Sequence, residues 1–266
     1  MKPMYETGQL PLAELEKLGL YRDGQIQLEP DDLDALLRGR RTELVSLREL
    51  KADGFEIDQL DAKLSVVPDW DNKLTLKIHP IYKRPQKHEL LLSTEAELLM
   101  NGQLTNLSKT YNTPPDKSKT FIIEYDPETR EFISYTAEEV QVPDHVNGEF
   151  LDQKQKELFR KGEIVTLSDG TRLQHRASER KGLVSDRVAL ILSVFLDGGI
   201  SYLLIRGIRN LLNSKTAQRD GNTEDFLETL KGMEKQQWHE EQKRLRQQQQ
   251  PESTEPEQTQ TRVRTR

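Results

Sequence analysis

Arg172, Arg176, Arg180 and Lys181 crowd into the stretch TRLQHRASERK. Cations at that density are the chemistry of phosphate contact, whether the phosphate belongs to a nucleic acid or to an acidic lipid surface. On a strand, Arg172, Gln174 and Arg176 share one face, and Leu173, His175 and Ala177 share the other. An internal use competes with this one. Residues 1–163 are acidic overall and residues 164–219 are basic, within a net charge of −6, so the acidic front of the chain is itself a ready partner. Asp197, Gly198 and Gly199 could turn backbone N–H groups toward an anion. They lack the Lys and Ser/Thr of a phosphate loop, so they read as a structural turn between helices.

Other chemistry is thin. His79, His88, His145, His175 and His239 stand apart from any H-E-x-x-H spacing, which leaves no metal motif. The chain has no cysteine, so disulfides, thiol nucleophiles and Cys-based zinc sites are excluded. Asp31, Asp32 and Asp34 cluster at a helix start, where the helix dipole accounts for them. No G-x-S-x-G motif and no nucleophile–base constellation is legible. The expectation is a non-enzymatic protein with no cofactor.

The elements that must position these residues are short. PLAELEKLGL reads as a helix with Leu12, Leu15 and Leu18 on one side, stopped at Gly19. EPDDLDALLRG repeats the pattern, with Pro30 at the first helical position and Gly39 past the end. TELVSL looks extended. DAKLSVV and KLTLKIHPIY alternate around the turn Asp69-Trp70-Asp71-Asn72 as a hairpin, with Leu74, Leu76 and Ile78 on one face and Thr75, Lys77 and His79 on the other. STEAELLMNG is a helix with Thr94 and Glu97 at capping-box spacing. TFIIEYDPETREFISY is a hairpin turned at Asp126-Pro127, and VPDHVNGEF reads as a connector. DQKQKELFRKG is a helix capped by Asp152 and Gln155. EIVTLSDGTRLQHRAS is a hairpin around Asp169-Gly170. Gly39, Gly102 and Gly162 each end a short helix and lead into a strand, which is the outline of a degenerate repeat as well as ordinary helix punctuation.

Val188 to Ile208, VALILSVFLDGGISYLLIRGI, is the most apolar stretch of a polar chain. A membrane-spanning helix needs about 17–25 apolar residues, and a central Asp costs roughly 2.5–3.5 kcal/mol on insertion. Ile200, Leu203, Leu204, Ile208, Leu211 and Leu212 recur at helical spacing, while Val188–Leu196 is apolar nearly all round. The expected structure is a helical hairpin, residues 186–196 and 200–212, bent at Asp197-Gly198-Gly199 and buried in a water-soluble body. A membrane association through residues 188–208 is the alternative. A helix-turn-helix reading lacks the small residue that its first helix needs.

LPLAELEKLGL followed by DLDALLRGRRTELVSL resembles an uncharacterised domain of proteins from bacterial conjugative transposons. The run from Leu151 to Leu212 resembles a second uncharacterised domain that follows it there. Asp169-Gly170-Thr171, Ser185-Asp186-Arg187 and Leu196 to Leu204 carry that likeness. The resemblance spans most of residues 8–212. It implies a cytoplasmic accessory protein of a mobile element, in a setting of DNA transfer, and it supplies no catalytic residue.

The expected class is α+β, with short helices alternating with β-hairpins, then a C-terminal helical hairpin and a tail. The expected divisions are an N-terminal α+β domain (1–88), a helix plus hairpin unit (89–150), a hairpin plus apolar helical hairpin domain (151–213), a polar helical tail (214–250) and a disordered end (251–266). The preferred function is an adaptor that binds unknown partner proteins through its exposed helical tail. The alternative is a nucleic-acid module that binds DNA through Arg172, Arg176, Arg180 and Lys181.

Overall fold

The structure is a computed structural model that describes residues 3–52, 55–113, 117–196, 199–211 and 217–248. The expected disordered end at 251–266 lies outside the described residues. The fold is mixed α+β, as its alternating helix and hairpin patterns imply. Helix α1 (Leu12–Lys17) is followed by a small ribbon of β1 (Tyr21–Arg22) and β2 (Gln25–Ile26), then by α2 (Pro30–Leu37). Strands β3 (Val45–Ala52), β4 (Phe55–Pro68) and β5 (Leu74–Pro80) form an antiparallel meander. Helix α3 (Ser93–Met100) leads to a second meander of β6 (Asn106–Thr113), β7 (Lys117–Asp126) and β8 (Glu131–Tyr135). After β9 (His145–Val146) and β10 (Glu149–Phe150), helix α4 (Gln153–Arg160) leads to a third meander of β11 (Val165–Thr166), β12 (Arg172–His175) and β13 (Leu183–Ser185).

The helices stop for one repeated reason. Gly39, Gly102 and Gly162 all adopt left-handed φ angles of 68°, 67° and 64°, which cost a residue with a side chain more than they cost glycine. The bonds around them match. Gly39 N–H donates to Leu36 O and Arg40 N–H to Ala35 O; Gly102 donates to Leu99 and Gln103 to Leu98; Gly162 donates to Phe159 and Glu163 to Leu158. A helix, a left-handed glycine and a three-stranded meander thus recur three times. Asp152 caps α4 as its sequence indicates, with Gln155 N–H donating to Asp152 Oδ1 at 2.7 Å. In α3 the cap differs from the Thr94–Glu97 pairing. The helix starts at Ser93, and it is Glu95 that accepts from the Leu92 N–H at 2.9 Å.

The apolar stretch corrects the sequence reading. It is no helical hairpin but a β-hairpin, β14 (Ala189–Leu196) against β15 (Gly199–Arg206). Leu196 pairs with Gly199, closing the hairpin across Asp197 and Gly198, which lie outside the described residues. Of the proposed helix turn, Asp197 and Gly198 lie outside the described residues, and Gly199 opens a strand, β15, in place of a helix. The physical reason is double-sided burial. Leu190 and Leu192, paired with Ile205 and Leu203, face the core around Phe159 and Leu173. Ala189 and Ile191, with Tyr202 and Leu204, face Phe226, Leu230 and Met233 of α5 (Glu224–Gln248). A strand covered on both faces reads as continuously apolar, and periodicity cannot separate it from a buried helix. Asp-Gly between β-branched and aromatic runs is a hairpin signal, and it decides this case. Strand β16 (Arg209–Asn210) then pairs parallel to β13.

A second hairpin hides in VPDHVNGEF, read above as a connector. Asn147 and Gly148 turn β9 into β10, and β9 pairs with β14 at Leu192↔Val146, so one sheet runs β10-β9-β14-β15. Among the described residues no helix is long and apolar enough to cross a membrane.

Two cores result. One, around Leu15, Leu36, Leu47 and Leu64, belongs to the first unit. The other gathers Ile122, Leu151, Phe159, Leu173, Leu183 and Leu190 from later ones. Between them lies a polar seam.

Candidate functional site

The seam is built from ions, and three of the four cations singled out in the sequence, Arg176, Arg180 and Lys181, turn into it. Lys181 Nζ lies 2.7 Å from Asp31 Oδ2, and Arg180 reaches Asp32 at 3.3 Å and Asp31 at 3.5 Å. Arg176 lies 3.4 Å from buried Glu124, and Arg172 lies 3.4 Å from buried Asp186. All four therefore meet carboxylates of the same chain. They do not form a row: Arg172 pairs beside its own strand, Arg176 pairs with β7, and Arg180 and Lys181 pair with α2. The Lys181 hydrogen bond, opposed by partial burial, holds the Asp31 carboxyl below its ordinary range. The acids at the start of α2 thus serve a distant cation as well as the helix dipole.

Sequence reasoning missed the centre of the seam. Lys63, only 2% exposed, lies 2.9 Å from wholly buried Asp126 and 2.7 Å from Glu128, and it donates to Ser178 O at 3.0 Å. Ser178 N–H in turn donates to Glu124 Oε1 at 2.6 Å. Arg209 sits 3.0 Å from Glu179 and 3.2 Å from Glu128. Burial pushes the Glu179 carboxyl above its ordinary range despite those neighbours. Burial also opposes Glu128's charge, but the hydrogen bond and charge of Lys63, with Arg209, outweigh it and hold that carboxyl low. No local spacing announces Lys63, because its partners lie on a second meander and on the loop after β12.

Beside the seam opens a cleft of about 550 Å³. One wall is the β4–β5 face that carries Ser65, Lys77 and His79. The opposite wall is β8, and the Arg38-Gly39-Arg40-Arg41 turn forms part of the lining. Ser65 Oγ lies 2.9 Å from His79 Nε2, and His79 Nδ1 lies 3.2 Å from Glu131 Oε2. Arg41 holds the same Glu131 carboxylate at 2.8 Å. Burial works against the Glu131 charge, but His79 and Arg41 outweigh it and keep the group ionised below its usual range. His175, also in the lining, is pushed down to about 3 by burial and by the Arg40 charge, so it stays neutral. No signal near Ser65 marks it, since its partners are 14 and 66 positions away in the chain.

A second cleft, of about 570 Å³, lies where α5 crosses the β9–β10 turn and is lined by His145, Asn147, Ser193, Tyr202, Asp225 and Glu228 among others. Among the described residues no group of three or more His, Cys, Asp or Glu side chains is placed to hold a metal.

Residues 5–90, the segment that contains α1, α2 and the first meander, match a family described as a protein of unknown function (DUF4099). No curated protein and no solved structure matches the chain.

Proposed function

We propose that the protein is a cytoplasmic accessory protein of a mobile genetic element and that it works by binding partner proteins. The conjugative-element setting is supported by the resemblance of the α1–α2 segment and of residues 151–212. The binding role is supported by one observation: both tryptophans of the chain stand on the surface. Trp70 is fully exposed (103%) and Trp238 is 57% exposed. Tryptophan is enriched among the residues that anchor protein interfaces, because its large apolar face is costly to leave in water.

Each tryptophan sits on a stiff support. Trp70 caps the β4–β5 hairpin, where Asp69 Oδ1 accepts from Asp71 N–H at 2.8 Å and Lys73 N–H at 2.9 Å. Trp238 rides on α5. The first turns of that helix are anchored through Phe226 (3% exposed) and Met233 (8%), and the helix then continues to Gln248. The tail therefore uses its apolar stripe to hold the body and offers the turns beyond it to a partner.

The test is capture from the donor cell by chemical cross-linking. Trp70→Ala and Trp238→Ala, and a chain ended at residue 234, are each expected to lose a protein that the full chain retains, while the circular dichroism of the body is unchanged. Capture of the same protein by all three variants would refute the reading.

A further inference from the structure

We infer that the cleft between the β4–β5 face and β8 is a hydrolytic site, with Ser65 as nucleophile, His79 as general base and Glu131 as the positioning residue. The substrate class is a carboxylic ester that carries a second, anionic group. This goes beyond the partner-binding proposal and is independent of it.

Three features carry the assignment together. The first is the order of contacts, hydroxyl to imidazole at 2.9 Å and imidazole to carboxylate at 3.2 Å, which is the relation that makes a serine nucleophilic. The carboxylate settles which imidazole nitrogen carries the proton. With Nδ1–H donated to Glu131, Nε2 is left as the acceptor for the Ser65 hydroxyl. Glu131 is itself fixed by Arg41 at 2.8 Å, so the ring is held from behind.

The second feature is the strand geometry. Ser65 pairs with Lys77 across the β4–β5 ladder, and Lys63 pairs with His79. Directly opposed side chains on one face stand about 4.5–5.5 Å apart at Cβ. The Lys77 ammonium is therefore within reach of the atom that Ser65 would attack. Lys77 makes no ion pair among the described residues, and its charge is available to a developing oxyanion.

The third is the sign of the cleft. Its lining brings together Arg38, Arg40, Arg41 and Lys77 against a single carboxylate, Glu139. Arg38 and Arg41 meet acids outside the lining and Arg40 donates to the Lys181 carbonyl, so it is the Lys77 ammonium that favours a negatively charged substrate. Val66, Ile133 and Val140 add apolar surface to the lining, and its volume is that of a small-molecule site.

The step balances without any added reagent. Ser65 Oγ bonds to the ester carbonyl carbon while its proton passes to His79 Nε2. The C–O bond to the alcohol then breaks, and the leaving alkoxide takes that proton. Water repeats the sequence on the acyl-serine, releasing the acid and restoring the hydroxyl.

The experiment uses the full chain with a fluorophosphonate probe, followed by peptide mass spectrometry. Hydrolysis of p-nitrophenyl hydrogen succinate is measured beside that of p-nitrophenyl acetate. The expected results are an adduct on Ser65, its loss in Ser65→Ala, and faster turnover of the charged ester. Lys77→Met should lower kcat for both esters, through the lost oxyanion contact, and raise KM for the charged ester alone. Glu131→Gln should lower kcat by about 10²–10⁴-fold with KM little changed, and Glu131→Asp should restore part of it. An adduct on some other residue, or ester hydrolysis unaltered in Ser65→Ala, would overturn the assignment. Absence of any adduct on the folded wild-type chain would overturn it equally, leaving a structural hydrogen-bond chain.

Discussion

Replacing Lys63 by methionine removes a buried cation that ties β4 to the β7–β8 turn and to the loop after β12. Its ammonium meets Asp126 at 2.9 Å, Glu128 at 2.7 Å and the Ser178 carbonyl at 3.0 Å, and its side chain is 2% exposed. Methionine fills most of the same space, so packing changes little and the loss is electrostatic. Removing one member of a buried ion pair costs about 3–5 kcal/mol, because the other charge stays buried. Here Arg41 stands 3.7 Å from the same Asp126 oxygen and relieves part of that cost, so the lower end, about 3 kcal/mol, is expected. With a urea dependence of about 1–3 kcal/mol per molar, the unfolding midpoint falls by about 1–3 M. The companion change is Asp126→Asn, which retains an acceptor for the Glu128 N–H now bonded to Asp126 Oδ1 at 3.0 Å. The double variant should recover about 2 kcal/mol relative to the sum of the singles, within the range measured for directly contacting pairs. Urea titration at neutral pH, followed by circular dichroism, measures all four corners of the cycle. A Lys63→Met cost below about 1 kcal/mol, or strictly additive singles, would refute the claim that this seam holds the units together.

Other expectations follow from single residues. His175 is held neutral in the fold, its pKa pushed down to about 3 from an ordinary 6.5 by burial. Its contribution is fully present above about 6.5 and is lost as pH falls toward about 3, with a slope of at most about 1.4 kcal/mol per pH unit. His175→Gln should flatten the stability profile between pH 6.5 and 4.5, where most carboxylates do not yet titrate; an unchanged slope there would contradict it. Phe226→Ala should cost about 3–5 kcal/mol if α5 unfolds with the body. Hydrogen exchange across α5 and β14 reads whether it does, and protection unchanged in both elements would count against the docked helix. Gly162→Ala should destabilise more than Gly102→Ala. Both share the left-handed φ, but a Cβ at 162 would lie 2.6 Å from Tyr135 Oη and 2.7 Å from Asn106 Nδ2, whereas at 102 nothing lies within 4 Å. Thermal melts of the pair decide this, and equal losses would show that backbone strain alone sets the cost.

What the sequence shows and what it hides follow from range. Helices α1 and α2 announce themselves through leucine spacing, α3 and α4 through capping spacing, and all four through a closing glycine; the hairpins at Asp69–Lys73, Asp126–Glu131 and Asp169–Gly170 do so through turn chemistry. All of these are local signals. The β14–β15 hairpin is misread because Ile200, Leu203, Leu204 and Ile208 happen to fall at helical intervals while in fact dividing between two sheet faces. The β9–β10 hairpin is missed although Asn147-Gly148 is a strong turn pair, because its strands are only two residues long. The seam and the cleft are hidden for a different reason. Lys63 needs Asp126 and Ser178, and His79, although it meets Ser65 within one hairpin, needs Glu131. These pairings exist only once separate meanders are stacked, and no window of the chain contains them.

The three meanders join strands that are neighbours in sequence, so each can close soon after it leaves the ribosome, with short loops and little entropy to overcome. The ammonium of residue 63 emerges long before the carboxylate at 126 and the carbonyl at 178 that will receive it. Until they arrive it remains hydrated, and the first unit keeps an open, wettable flank. Late docking, rather than early collapse, should then limit the rate at which a newly made chain matures, and added salt should slow that last event while leaving the earlier ones untouched.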